Sequence, residues 1–291
     1  MNEKKILAVI VTYNRVNDLK NCVNSLRRQT YKYFDILVVN NGSTDGTKEF
    51  VDSLEDIIVI HQDNLGGAGG FYAGQKYMMD NGYEWIWMMD DDGIAENNQL
   101  LQLVEFTNSN RQNLFVNALV VDKDDHDSLA FYSNGMSKNE LIKMESYDGF
   151  IHPFNGTFVN RKVFETCGLT KKEMFIWGDE IELTMRFAKA GFKATTVCHA
   201  IHYHPKEKGI KKPLLPGIMN RTLLIKPKKF SKHFYRNLGY IHGQYFHDKW
   251  YKGFKPMVFY SLFFMLRLDF PEAYKVLNYY LRGMRNDYSE A

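Results

Sequence analysis

Three consecutive carboxylates, Asp90-Asp91-Asp92, follow the apolar run Trp85-Ile86-Trp87-Met88-Met89 and precede Gly93. An uninterrupted apolar run of this length fits a strand buried on both faces, and the carboxylates fall where that strand runs out into solvent. Adjacent anions repel one another at a sheet edge unless a cation shares them, so the triplet reads as hard oxygen ligands for a divalent metal. The plainer alternative is a solvated acidic turn that caps a helix beginning near Asn97. Two other groups have residue types that chemistry uses. Asp179-Glu180, behind Trp177-Gly178, open a helical pattern, although the helix dipole alone favours carboxylates in a first turn. His199, His202 and His204 follow a predicted strand, but a zinc site made from these histidines alone lacks convincing partners.

Such groups need strands to aim them. Apolar runs predict strands at 6–11, 35–39, 57–60, 85–89, 114–121 and 193–197, with 154–158 a strand or turn. Helical spacing places helices at 18–29, 48–54, 71–79, 97–106, 161–167 and from Trp177 through Ala190. This alternation implies parallel pairing and a layered α/β sandwich, in which ligands bind at the carboxyl ends of the strands. The second strand ends in Asn40-Asn41-Gly42-Ser43-Thr44-Asp45-Gly46-Thr47, and Asn64-Leu65-Gly66-Gly67-Ala68-Gly69-Gly70 follows the third. A glycine-rich turn lets backbone N–H groups approach a phosphate or ribose, and a helix starting at Phe71 would direct its positive end there. A dinucleotide-binding fingerprint would instead stand directly after the first strand, where this chain has Thr12-Tyr13-Asn14-Arg15. The glycine loop, the asparagine-rich loop and the acidic triplet together make a cleft suited to a nucleoside diphosphate with its metal.

Composition sets the outer bounds. The 291 residues suffice for one large α/β domain with an appendage, and 45% hydrophobic content can fill its core. A net charge of +3 gives no field that would call for nucleic acid. Cys22, Cys167 and Cys198 are odd in number and widely spaced, which suits free thiols in a reducing cytosol. The start, Met1 to Lys5 and then 6–11, has the outline of a signal peptide, but its apolar run is short and lacks a small-residue cleavage site, so a first strand explains it better. Beyond His204 come basic runs, Lys206, Lys208, Lys211 and Lys212, then Lys226, Lys228, Lys229 and Lys232, interleaved with Phe230, Phe234 and Tyr235. The uncharged stretch 257–266 is shorter than the roughly 20 apolar residues a membrane span needs; it reads as a core helix or one lying in a membrane surface.

Val11-Thr12-Tyr13-Asn14-Arg15, Asn40 to Gly46, Asn155-Gly156-Thr157, and Asp179-Glu180-Ile181-Glu182 with Arg186 resemble the motifs of family 2 glycosyltransferases. Asn64 to Phe71 followed by Met89-Asp90-Asp91-Asp92 is most similar, within that family, to bacterial galactofuranosyltransferases. The resemblance implies a GT-A-type nucleotide-binding α/β sandwich with a mainly parallel central sheet over 1–225, and a C-terminal helical appendage over 226–291. It also implies roles. Asp90 faces the donor ribose, and Asp92, beside Asp91, holds Mn²⁺ or Mg²⁺ across the donor diphosphate. His204, or else His202, completes the coordination. Thr12, Tyr13, Asn14, Arg15, Asn41, Asn64, Gly66, Gly67, Gly69 and Gly70 line the donor side, Trp177 and Gly178 the acceptor side. The family's second acid lies six residues ahead of the Arg, which here is Glu180; it would be the base of an inverting transfer, with Asp179 the runner-up. Glu stands at that position where Asp is common, and Asn40-Asn41 stands where many relatives have Asp-Asp. An amide can still pair with a uracil or thymine edge, so the donor base stays open.

The resulting expectation is a metal-dependent inverting glycosyltransferase that uses UDP-galactofuranose to extend a bacterial surface glycan, such as O-antigen or capsule. Its acceptor would be a glycan, free or linked to polyprenyl diphosphate, met in the cytoplasm or at the inner face of the membrane through peripheral contact. Rhamnosyl transfer from dTDP-rhamnose is the near alternative, and a catalytically silent glycan-binding module the distant one. Nucleotidyl transfer would want a glycine-rich loop with a basic residue straight after the first strand, and that feature is missing.

Overall fold

The computed structural model describes residues 5–131, 133–149, 152–206, 210–215, 219–246 and 250–289. Met1 to Lys4, at the expected start, and Lys208, in the first basic run, lie outside the described residues. Along the chain come β1 (Ile6–Thr12), α1 (Val16–Arg27), β2 (Phe34–Asn40), α2 (Thr47–Asp52), β3 (Ile58–His61), α3 (Gly66–Asp80), β4 (Trp85–Asp90), β5 (Ile94–Ala95) and α4 (Gln99–Ser109). They are followed by β6 (Phe115–Asp122), α5 (Lys138–Leu141), β7 (Ser146–Asp148), β8 (Asn155–Asn160), α6 (Arg161–Cys167), α7 (Asp179–Lys189) and β9 (Thr195–His204). The last elements are β10 (Ile210–Leu215), β11 (Met219–Ile225), α8 (Ser231–Tyr245), α9 (Trp250–Met265) and α10 (Phe270–Met284). The chain divides into two compact units, 1–172 with 183–207, and 173–182 with 208–291. The β10–β11 hairpin thus groups with the C-terminal helices, whereas the expected boundary lay near 225.

In the first unit, the described strands form one sheet of order β3-β2-β1-β4-β8-β6-β9-β5, with β7 also beside β9. The β3-β2-β1-β4 half is parallel, because each strand is linked to the next by a helix, whereas β8 runs antiparallel to both β4 and β6. Both faces are covered, and the two-residue period of a strand decides which side chain goes where. Ile6, Ala8 and Ile10 of β1 join Trp85, Trp87 and Met89 of β4 in one core layer. Leu7, Val9 and Val11 join Ile86 and Met88 in the other, under α3. The register pairs Thr12 with Asn40 and Val11 with Asp90, so the motif-bearing ends of β1, β2 and β4 finish level with one another.

Two elements depart from the sequence expectation. Helix α3 begins at Gly66 rather than Phe71, so the glycines form its first turn instead of a loop. Strand β9 runs on to His204, so the histidines lie within it and not after it. Its pairing with β6 jumps from Val197 to Ile201, and His199 is exposed in that irregularity.

In the second unit, α8, α9, α10 and the hairpin enclose a core of Leu214, Leu223, Tyr235, Tyr260, Phe263, Phe264, Ala273 and Val276. The aromatic stretch 257–266 therefore turns Tyr260, Phe263 and Phe264 inward as a core helix does.

Candidate active site

Three loops meet at the level ends of β1, β2 and β4. Thr12 Oγ1 donates to Asp91 Oδ2 at 2.7 Å, and Arg15 reaches Asp91 Oδ1 at 3.3 Å and Asp92 Oδ2 at 2.5 Å through a single guanidinium nitrogen. Asn14, at φ 55°, donates its backbone N–H to Ser43 Oγ at 2.9 Å, and its Oδ1 accepts from the Thr44 N–H at 2.7 Å. Tyr13 beside it is exposed. The asparagines that replace the expected acids are used internally. Asn40 bonds His61 and the Ser43 N–H. Asn41 is buried, donates to the Gly66 carbonyl at 2.9 Å and Asn64 Oδ1 at 3.3 Å, and accepts from Gln62 and the Leu65 N–H. Its amide holds the turn into α3.

The glycines of that turn have a packing reason as well. A Cβ at Gly70 would stand 2.3 Å from Val11 Cγ1, one at Gly74 2.5 Å from Val9 Cγ1, and one at Gly69 2.3 Å from Leu65 Cβ. Helix α3 therefore rests directly on Val9 and Val11 of β1. At Gly67 the space is open, and Gly66 has φ 70°.

The acidic triplet is electrically uneven. Burial raises Asp90 to about 7, helped by the charge of Asp92. Burial also raises Asp91, to about 6, against the pull of Thr12 and Arg15. For Asp92 burial acts in the same direction, but His204 and Arg15 outweigh it and hold the carboxyl at about 2. Burial would lower His204, yet Asp92 and then Asp90 raise it. His204 Nδ1 lies 2.7 Å from the Pro205 carbonyl and must donate to it, which turns Nε2 toward Asp92 Oδ1 at 3.2 Å. Asp92 Oδ1 is buried and closes no hydrogen bond of normal geometry.

This pair fits a divalent cation. Two ligands at right angles around a metal at about 2.1 Å lie about 3 Å apart, and a backbone carbonyl on Nδ1 is the usual way a ligating imidazole is fixed. Among the described residues no group of three His, Cys, Asp or Glu side chains converges as a metal site. His202 stands elsewhere. It is fully buried, burial lowers it to about 3, its Nδ1 faces Gln99 Oε1 at 3.2 Å, and its Nε2 abuts Gly93. The structure thus sets His204, and not His202, beside Asp92.

Asp179 and Glu180 open α7 after a turn in which Phe175, Trp177 and Gly178 all have positive φ, of 65°, 63° and 100°. Such a backbone needs external support. Asn237 of α8, buried in the same unit, gives it: its Nδ2 lies 2.8 Å from the Met174 carbonyl, 3.0 Å from that of Ile176 and 2.8 Å from that of Trp177, while Tyr288 donates to its Oδ1 at 3.0 Å. The Gly178 N–H donates to Glu180 Oε2 at 3.1 Å, and Tyr245 donates to Glu182 Oε1 at 2.8 Å. Asp179 is buried, whereas Glu180 is half-buried and the more accessible of the two. Arg186, the motif's arginine, is structural at its tip: it donates to the Cys167, Gly168 and Leu169 carbonyls beyond α6.

The profile of glycosyl transferase family 2 matches residues 7–168. The galactofuranosyltransferase GlfT1 of Mycobacterium tuberculosis (strain H37Rv) is 30% identical over 254 residues, 83% of this chain and 83% of that protein. The chain belongs to glycosyltransferase family 2. Its fold matches solved GT-A structures: residues 1–349 of S. aureus TarS, with a TM-score of 0.60 at 14% identity over 98% of this chain and 82% of that one, and the mannosyltransferase PcManGT of Pyrobaculum calidifontis in complex with GDP-Man and Mn²⁺, with a TM-score of 0.57 at 15% identity over 96% and 75%.

The protein is accordingly a glycosyltransferase, and several residues of its site were not singled out from sequence. Lys123 Nζ lies 3.4 Å from the Asp92 carbonyl and 3.8 Å from Asp18, adding a cation near the triplet. Phe131 lies against the His204 ring, with centroids 5.3 Å apart, and stacks on His152 at 4.2 Å. Asn237, on a helix some sixty residues beyond the turn it braces, gave no local signal.

Proposed function

We propose that this glycosyltransferase transfers galactofuranose from UDP-galactofuranose, with inversion and with a divalent metal, to a growing bacterial surface glycan of the O-antigen or capsule type. The observation that carries the metal-dependent reading is the Asp92–His204 pair, 3.2 Å apart at the end of β4 and flanked by Thr12 and Arg15. The likeness to a galactofuranosyltransferase over most of both chains supports the sugar. In this reading Asp92 and His204 hold Mn²⁺ or Mg²⁺, and Asp90 meets the ribose. The cation supplies charge neutralisation for the departing nucleoside diphosphate. Arg15 and Lys123 stand near enough to share that task. Gly66, Gly67 and Asn64 present backbone to the donor. Trp177, whose ring carries Lys226 at 4.9 Å, offers an aromatic face to the acceptor sugar. Glu180 takes the proton of the acceptor hydroxyl as its oxygen bonds the anomeric carbon and the bond to the diphosphate breaks on the opposite side. The working place is the cytoplasmic face of a membrane, where a polyprenyl-linked acceptor is held.

Thermal shift with nucleotide sugars tests the donor, because a bound ligand stabilises the native state. UDP-galactofuranose with Mn²⁺ is expected to raise the Tm, EDTA to cancel the effect, and Asp92→Ala to lose the ligand-dependent rise relative to its own ligand-free Tm. A shift with dTDP-rhamnose and none with UDP-galactofuranose would transfer the activity to rhamnose. A metal-independent shift of the same size in Asp92→Ala would remove Asp92 from the site.

A further inference from the structure

Helices α9 and α10 are apolar on more than the face they bury. On α10, Ala273, Val276 and Tyr280 point into the core, as an amphipathic helix requires. Positions 270, 274 and 277 recur at i, i+4 and i+7 on a different stripe, where solvent contact calls for polar residues. Instead they are Phe270, Tyr274 and Leu277, which are 60%, 68% and 40% exposed. The turn between the helices continues the pattern with Met265 and Leu266, and with Leu268, which is 76% exposed. Six large apolar side chains within thirteen residues form a contiguous knuckle, and a soluble protein seldom leaves such a patch uncovered without a partner for it.

Charge says what that partner is. Residues 208–291 hold 16 Lys and Arg against five Asp and Glu, a net charge of about +11 in a chain whose total is +3. The acids nearest the knuckle are already paired, Asp269 with Lys228 and Glu272 with Lys275. Arg267, in the turn itself, donates to carbonyls of Pro213 and Phe263 and so ties the turn to β10, which carries the exposed Lys211 and Lys212. A second copy of the chain would bring this basic region against its like, which is repulsive. A surface that is negative outside and apolar beneath complements both features. No helix among the described residues is long and apolar enough to cross a membrane.

We propose that the α9–α10 turn, with Leu268 and Phe270 at its tip, inserts into the headgroup–acyl boundary of an anionic lipid bilayer, held there by the basic residues around it. This deepens the reading that the enzyme works on a membrane-held acceptor, and rests on it for its purpose. The surface differs from the one legible in sequence. The aromatic residues of 257–266 are mostly core, Lys228 is paired with Asp269, and the inserting side chains come from the turn and the outer stripe of α10.

Vesicle co-sedimentation of the full chain, with phosphatidylglycerol-containing against pure phosphatidylcholine vesicles, tests this. Binding is expected on the anionic vesicles alone, to weaken with salt, and to fall at least tenfold in the double variant Leu268→Ser, Phe270→Ser. Both residues are exposed, so the fold should persist, and an unchanged Tm shift with donor and Mn²⁺ reports that it does. Absent binding, or binding the double variant retains in full, overturns the proposal. Concentration-dependent dimerisation lost in the double variant, without vesicle binding, assigns the knuckle to a second copy and also overturns it. Donor binding is read separately, so loss of the donor shift with intact vesicle binding would strike the glycosyltransfer reading and leave the docking surface standing.

Discussion

Gly93→Ala is a small change with a large expected effect. A Cβ built at Gly93 stands 2.3 Å from His202 Nε2 and 2.9 Å from its Cε1, with the Asp90 carbonyl oxygen at 3.3 Å on another side. Comfortable carbon contacts need about 3.5 Å, so roughly 1 Å of relief must be found. The imidazole cannot readily supply it. It is fully buried, its other nitrogen faces Gln99 Oε1 at 3.2 Å, and Gln99 is itself tight against Gly156, where a Cβ would come within 2.3 Å of its Nε2. Overpacking a close-packed interior in this way costs about 1–3 kcal/mol. Whatever part of the strain the backbone absorbs moves the turn that carries Asp92, and each 1.4 kcal/mol of lost metal contact is about tenfold in affinity. Urea unfolding is expected to show a midpoint lowered by the equivalent of about 2 kcal/mol at constant m, and calorimetry in the presence of nucleoside diphosphate to show weaker Mn²⁺ binding. His202→Ala opens the space the new methyl needs, so the double variant should be more stable than the two single effects added together, by about 1 kcal/mol or more. A Gly93→Ala protein within about 0.5 kcal/mol of wild type, with unchanged Mn²⁺ affinity, would refute the reasoning that His202 leaves no room for a side chain at Gly93.

Glu180→Gln keeps shape and removes basicity; transfer should fall by at least about two orders of magnitude while donor affinity survives. Steady-state kinetics decide, and near-normal turnover here with collapse in Asp179→Asn moves the base to the neighbouring residue. Asn237→Ala removes a donor shared by three carbonyls of the turn before Glu180; it should cost about 1–3 kcal/mol and lower kcat with donor Kd unchanged. Wild-type kcat in a variant that has lost that stability would reduce Asn237 to a purely structural clamp.

The parallel half of the sheet was legible because strands buried on both faces write themselves as unbroken apolar runs, as in 6–11 and 85–89. The start of α3 was not, since four glycines in the first five residues argue against a helix by propensity; close approach to Val9 and Val11, a long-range demand, overrides that cost. That His204 reaches Asp92 while His202 packs under Gly93 depends on the pairing across β6 and β5 and on the carbonyl of Pro205, which spacing along the chain does not show. The sequence leaves open whether the amides of Asn40 and Asn41 could pair with a base edge; in the structure they bond His61, Ser43 and the turn at Gly66. What spacing cannot convey is a partner far along the chain. Asn237 under the turn at 174–177, Lys123 beside Asp92, and Phe131 against His204 all belong to that class.

The three carboxylates of the triplet stand in different surroundings. Asp91 turns back to Thr12 and Arg15, and burial raises both Asp90 and Asp91, so Asp92 is the carboxylate of the three that its neighbours hold lowest. Its two oxygens are divided between Arg15 on Oδ2 and His204 on Oδ1. A cation placed at this pair gains one carboxylate and one imidazole from the protein, fewer ligands than an octahedral ion takes, and it meets the positive charge of Arg15 close by. A diphosphate corrects both deficits at once, since it brings oxygen ligands and negative charge that Arg15 and Lys123 can share. Metal and donor should therefore enter this site as interdependent ligands, each weak without the other. That coupling follows from the counts of charge and ligand around Asp92, whichever sugar the donor carries.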